Sequence, residues 1–146
     1  MGNDSKLRLI ERIAAASGPC VGLDADIEHA TGRWSDHHFE AWARWQEYGE
    51  SASPALPVPV PPNRYTGSID AAMTLLPSDT WFELKGPRKY LNIPSPAPNY
   101  WFAYISTYNY EIDKPGWGAT PPLAICAAAL KAHLAFDPLT TQEKQK

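Results

Sequence analysis

Thr120-Pro121-Pro122-Leu123-Ala124-Ile125-Cys126-Ala127-Ala128-Ala129-Leu130-Lys131-Ala132-His133-Leu134 is the stretch that decides the fold class. Thr120 offers a hydroxyl to cap a helix, and Pro121 takes the first helical position, where its missing N–H does no harm. Leu123, Cys126, Ala127, Leu130 and Leu134 recur at helical spacing and form the expected buried face. Three consecutive alanines, Ala127 to Ala129, add little bulk and suit close packing against a sheet. The spacing predicts a buried helix over about 121–135.

Working outward, Thr80–Lys85 alternates as a strand should. Phe82 and Leu84 lie on one side, Trp81, Glu83 and Lys85 on the other, and Gly86-Pro87 breaks it. Asn99–Glu111 reads as the longest strand, with Tyr100, Phe102, Tyr104, Tyr108 and Tyr110 alternating against Trp101, Ala103, Ile105 and Thr107. Lys114–Gly118 reads as a turn or flexible loop. Towards the N-terminus, Leu9, Ile10, Ile13 and Ala14 predict a helix over Leu7–Ala16, with Asp4 or Ser5 as cap and Ser17-Gly18-Pro19 as the stop. A second helix is predicted over Val21–Ala30, with Leu23, Ile27 and Ala30 on one face and Asp24, Asp26 and Glu28 mainly on the other. Ser68 caps a further helix over Ile69–Leu76, whose expected buried stripe is Ile69, Ala72, Met73 and Leu76. In Arg33–Tyr48 the aromatics Trp34, Phe39, Trp42, Trp45 and Tyr48 repeat mostly by threes, but their residue types favour a strand, and a strand is the expectation. Ser51–Pro62 carries five prolines, which fix an extended path. Together these elements predict an α/β (α+β) fold: a small, mostly antiparallel sheet of three to four strands sandwiched between helices. One domain is expected over 1–136, followed by a polar tail over 137–146.

Composition narrows the class without naming the function. The chain has 146 residues with 13 Lys and Arg against 16 Asp and Glu, a net charge of −3. That balance disfavours a nucleic-acid partner, because holding phosphates needs a basic surface. With 44% hydrophobic and 20% charged residues it is neither disordered by composition nor membrane-embedded. The 15 prolines are unusual and mark loops. The N-terminus lacks a signal-peptide core and no window has the length of a membrane span, so cytoplasmic residence is expected. Cys20 and Cys126 fall in apolar segments and are expected as free thiols.

Three phrases carry a resemblance: Leu9-Ile10-Glu11-Arg12-Ile13-Ala14-Ala15-Ala16-Ser17-Gly18-Pro19 with Leu23-Asp24-Ala25-Asp26-Ile27; Tyr65-Thr66-Gly67-Ser68-Ile69-Asp70-Ala71-Ala72-Met73-Thr74-Leu75-Leu76-Pro77; and Ala119-Thr120-Pro121-Pro122-Leu123-Ala124-Ile125-Cys126-Ala127-Ala128-Ala129-Leu130. In order and spacing they resemble the phage ABA sandwich domain family over most of the chain. The resemblance implies a sheet layered between helices and a bacteriophage or prophage origin, and so the cytoplasm of a host bacterium. It implies no established catalytic residues.

Catalytic patterns are missing from the sequence. There is no Gly-x-Ser-x-Gly elbow, phosphate-cradling Gly-rich loop or zinc-deaminase pattern, and no cofactor is indicated. Asp36-His37-His38-Phe39-Glu40 has metal-ligand residue types, but adjacent histidines diverge on either a strand or a helix. Asp24 and Asp26 would also diverge, so paired carboxylates are not expected. His29 and His133 sit near helix C-termini, where a cation suits the dipole.

Binding has more support. Trp81 and Lys85 share a strand face, Arg88-Lys89-Tyr90 follow, and Arg33-Trp34 and Arg44-Trp45 repeat the aromatic–cation pairing, which suits a planar ring carrying phosphates. The same aromatics would also serve as core, with the cations as a solvated rim. The expected site is Trp81, Lys85, Arg88, Tyr90 and Trp117, with Arg44 and Trp45 next. The first functional expectation is a non-catalytic protein that sequesters a small anionic, nucleotide-like signal of a bacterial anti-phage defence system. A second is an interaction module using the aromatic and Pro-rich segments 34–62. A third is a nucleotide-acting hydrolase with His37 or His38 as base. A homodimer is a reasonable expectation for so aromatic a small chain.

Overall fold

The helix predicted from the alanine run lies at the centre of the molecule. In the computed structural model, which describes residues 3–49, 51, 57–86, 100–107 and 113–136, this helix, Pro121–Phe136, buries residues on every side. Leu123 through Leu130 and Ala132 are all buried, so burial goes well beyond the single predicted face, and Leu134 is only half-buried. A helix that is apolar all round must have neighbours all round. Its two polar side chains past the middle turn to backbone carbonyls: Lys131 Nζ donates to Pro115 O at 2.8 Å and His133 Nε2 to Leu75 O at 2.7 Å. Thr120 caps it as expected, accepting from Leu123 N at 3.4 Å.

In chain order the elements are α1 (Asn3–Ala15), α2 (Val21–Ala30), α3 (Asp36–Tyr48), α4 (Ile69–Met73), β1 (Thr80–Lys85), β2 (Trp101–Thr107), β3 (Asp113–Gly118) and α5 (Pro121–Phe136). The fold is α+β: a three-stranded antiparallel sheet in the order β1-β2-β3, flanked by helices. α5 packs on β2 and β3, and α1 and α4 pack on α5. Leu9, Ile10 and Ile13 of α1, Leu23 and Ile27 of α2, and Leu75 after α4 complete the main core.

Three expectations are corrected. The first concerns Arg33–Tyr48, which contains helix α3 rather than a strand. Ser35 caps it, accepting from His38 N at 3.1 Å, and Asp36 sits in the first turn, where the dipole favours it. The cap and the three-to-four spacing outweigh the strand preference of aromatic residues, because packing decides such cases. Trp42 is buried with Trp34 and Ala25, and Phe39 and Trp45 pack on this second, smaller cluster.

The second correction is Lys114–Gly118, which lies within strand β3 rather than a loop. Gly116 and Gly118 bring its backbone against α5: a Cβ at Gly116 would stand 2.3 Å from Ala128 N, and one at Gly118 2.5 Å from Ala124 N. Among the described strands β3 is an edge, and Pro115 turns its carbonyl to Lys131 rather than to β2, so the missing N–H on the same side costs no ladder bond. The third is the α4 stripe, where Leu75 is buried and Ile69 stands 44% exposed. Strand β1 has the predicted boundaries and faces, with Phe82 and Leu84 packed towards the core and Glu83 exposed. Of the predicted long strand, 101–107 is formed, and Tyr108 and Tyr110 lie outside the described residues, as does the polar tail. No helix among the described residues is long and apolar enough to cross a membrane.

Candidate functional site

Among the described residues, the densest polar chemistry is where the first two resemblance phrases meet. Asp24 and Glu28, one turn apart on α2, are both only 4% exposed. The expected outward placement is therefore reversed for these two. Asp26 does point out and pairs with Arg12 at 2.7 Å.

Asp24 Oδ1 accepts from Thr66 N and from Thr66 Oγ1, each at 2.8 Å. The Thr66 hydroxyl in turn accepts from Cys20 N at 2.9 Å, satisfying one of the donors at the start of α2, whose N-cap residue makes no side-chain cap. Next to this, the Tyr65 hydroxyl donates to Glu28 Oε1 and accepts from Arg33 Nη1 at 2.8 Å and from Asn63 Nδ2 at 3.2 Å. Arg33 Nη2 also donates to Thr74 O at 2.6 Å, which ties the 63–66 segment and the end of α4 to α2. Burial pushes the Asp24 carboxyl above its ordinary range; the Thr66 bonds oppose this, and the nearby Glu28 charge adds to it. Burial likewise raises the Tyr65 hydroxyl. Cys126 is fully buried, donates to Tyr65 O at 3.3 Å, and its thiol is pushed far up by burial.

Above this network lies a cleft of about 480 Å3 between the start of α2 and the 61–67 segment. Pro19, Val21, Pro61 and Pro62 supply apolar walls, Asp24 reaches it from within, and Arg64 stands at its side. Cys20 also lines it, at the helix N-cap with its side chain exposed rather than inside an apolar segment. Both cysteines are free thiols. The sequence did hold a signal for this site. Asp24 and Glu28 are spaced by four, so they share a helix stripe that Asp26 does not.

The predicted site residues are partly brought together. Trp81 pairs across the ladder with Ser106, Glu83 with Tyr104, and Lys85 with Phe102, which is opposite Trp117 on its other side. Residues directly opposite in a ladder share a face. Trp81, Lys85 and Trp117 therefore lie on one face of the sheet with Phe102 and Tyr104 between them, while the alternate residues Phe82 and Leu84 pack towards the core. The Trp81 and Tyr104 rings are 5.8 Å apart and the Phe102 and Trp117 rings 4.6 Å apart. Lys85 Nζ lies 3.6 Å from Glu83 Oε2. Arg44 and Trp45 are on α3, which packs on α2, and the Trp45 ring lies 5.8 Å from that of Trp42. Arg88 and Tyr90 lie outside the described residues.

The histidines have structural neighbours. His38 donates through Nε2 to Val60 O at 3.1 Å and its ring lies against Trp34, while His37 is exposed. His29 stacks on Phe39 at 4.3 Å and bonds Asp36 at 2.6 Å across to α3, which holds the Asp36 carboxyl below its ordinary range. His133 lies in the last turn of α5 as expected and bonds Leu75 O, while burial lowers its pKa. Among the described residues no group of three or more His, Cys, Asp or Glu could hold a metal ion.

Comparisons with protein-family models, curated proteins and solved structures return no match.

Proposed function

We propose that this chain is a non-catalytic binding protein that captures a small anionic ligand with a planar ring, of nucleotide-like chemistry, on the aromatic face of its sheet. The observation that carries this reading is the strand register, which groups Trp81, Lys85 and Trp117 with Tyr104 and Phe102. Aromatic faces stack on any planar ring, and an ammonium beside them meets a phosphate. A ligand phosphate would compete with Glu83 for Lys85. The resemblance to the phage ABA sandwich family extends the reading to sequestration of a nucleotide-derived defence signal in the bacterial cytoplasm. Capture of that kind needs a preformed surface and sufficient copies, not a reaction.

The test is a thermal-shift and tryptophan-fluorescence screen of the full chain against mono- and dinucleotides, cyclic nucleotides and ADP-ribose derivatives. Bound material is then released by heat and identified by mass. Intact recovery is expected, with binding weakened roughly 5- to 150-fold by Trp81→Ala, the range for one stacked ring. A chemically altered product would replace capture with catalysis. Absence of any shift across the panel would overturn the reading.

A second reading, an interaction module, is favoured by one feature of the Pro-rich run: Val58 and Val60 stand 70% and 68% exposed. Apolar side chains displayed on a rigid extended segment suit recognition by a protein partner.

A further inference from the structure

Asp24 carries a charge that its structural role does not require. Both bonds from Thr66 end on Oδ1, and an asparagine oxygen would accept them equally well. Oδ2 has no hydrogen-bond partner among the described residues and is not among the fully buried atoms, so in a residue only 4% exposed this oxygen keeps its contact with solvent, and Asp24 lines the cleft beside α2. A carboxylate that is mostly buried but keeps one oxygen open to a cleft can take a cationic partner there without a further buried group having to be desolvated. Arg64 lines the same cleft. Its charge is close enough to favour the ionised form of Asp24, yet its side chain makes no ion pair or hydrogen bond among the described residues, only its carbonyl accepting from Gly67 N at 3.1 Å.

The two charges restrict what fits. A simple anion drawn to Arg64 would face Asp24, and a simple cation drawn to Asp24 would face Arg64. A small molecule carrying both charges satisfies both residues. Cys20 and Gly67 complete the lining with Pro19, Val21, Pro61 and Pro62, whose apolar walls include three prolines of restricted φ. A volume of about 480 Å3 lies in the range of small-molecule sites.

We propose that this cleft binds a free amino acid, with its ammonium on Asp24 Oδ2, its carboxylate on the Arg64 guanidinium, and an apolar side chain against the prolines and Val21. The site is independent of the sheet-face reading, since none of its residues belongs to the sheet and the two are tested with different variants and ligands.

The experiment is calorimetric titration of the full chain with each of the common amino acids. For any that binds, its amide, which lacks the carboxylate, and its N-acetyl form, which lacks the ammonium, are titrated as well. Binding by at least one apolar amino acid is expected, weakened roughly 10- to 100-fold in either derivative, as for loss of one charge-assisted hydrogen bond. Asp24→Asn should lose affinity by a similar factor while its thermal midpoint is unchanged or raised. Arg64→Gln, at an exposed position whose side chain has no partner among the described residues, keeps the test decisive should Asp24→Asn fail to fold. Absence of binding by every amino acid, derivatives that bind as well as the parent, or an Arg64→Gln variant with unaltered affinity would each overturn the proposal.

Discussion

Replacing Gly116 by alanine places one methyl group where β3 meets α5, and its consequence can be worked from the geometry. The new Cβ would lie 2.3 Å from Ala128 N, 2.6 Å from Ala124 O and 2.8 Å from Ala128 Cα, whereas ordinary contact begins at 3.4 Å. All three are backbone atoms of a helix, so no rotamer change relieves the clash, and strand and helix must separate by roughly 1 Å. α5 has little room to retreat, because α1 and α4 pack on it. Overpacking of this kind costs typically about 1–3 kcal/mol, and contact with backbone puts Gly116→Ala at or above the upper end. For a chain of this length, about 3 kcal/mol lowers the thermal midpoint by roughly 6–12 °C. Gly18→Ala is the control, since nothing lies within 4 Å of its Cβ position, and it should change stability by less than about 0.5 kcal/mol. Urea denaturation of both variants, with calorimetric melting, makes the comparison. Because the clash is with backbone, removing the facing methyl in a Gly116→Ala/Ala128→Gly double variant should bring no rescue. A Gly116→Ala protein within about 0.5 kcal/mol of the parent, or one rescued by the second change, would refute the close approach of β3 to α5.

Two further outcomes follow from the buried polar groups. Burial, helped by the charges of Arg33 and Lys6, holds His133 below its ordinary 6.5 despite the bond to Leu75 O. The unfolded chain therefore takes up a proton first as pH falls, and stability should decline from about pH 6.5 downward. His133→Gln keeps a donor for Leu75 O and should flatten the part of the melting-temperature decline below about pH 6.5 that this residue causes. A profile identical to the parent's would contradict the assignment. Tyr65→Phe removes the hydroxyl shared by Glu28, Arg33 and Asn63 and leaves the buried Glu28 Oε1 without its donor. A loss of about 1–3 kcal/mol in urea denaturation is expected, and a neutral result would show that water replaces the phenol.

Legibility along this chain follows the range of the deciding interaction. Ser68 and Thr120 are readable as caps because each accepts from an N–H three residues on. Ser35 caps α3 in the same way, accepting from His38 N, while the aromatic residue types of that segment favour a strand locally. β3 was not legible because glycine and proline signal turns locally, and only the backbone of α5 requires glycine at 116 and 118. The grouping of Trp81 and Lys85 was visible in the alternation of one strand. Adding Trp117 to that face needed the register across β2.

The sequence by itself determined the extent of α2, the starts of α4 and α5, the faces of β1 and the α+β class, because capping, periodicity and chain-breaking act within a few residues. Only the tertiary structure decided which carboxylates go inside. Asp24 and Glu28 read as solvent-facing until Thr66, 42 residues away, and Tyr65 supply the hydrogen bonds that permit their burial. A charged group is placed by its partners, and these are brought to it only when the chain has folded.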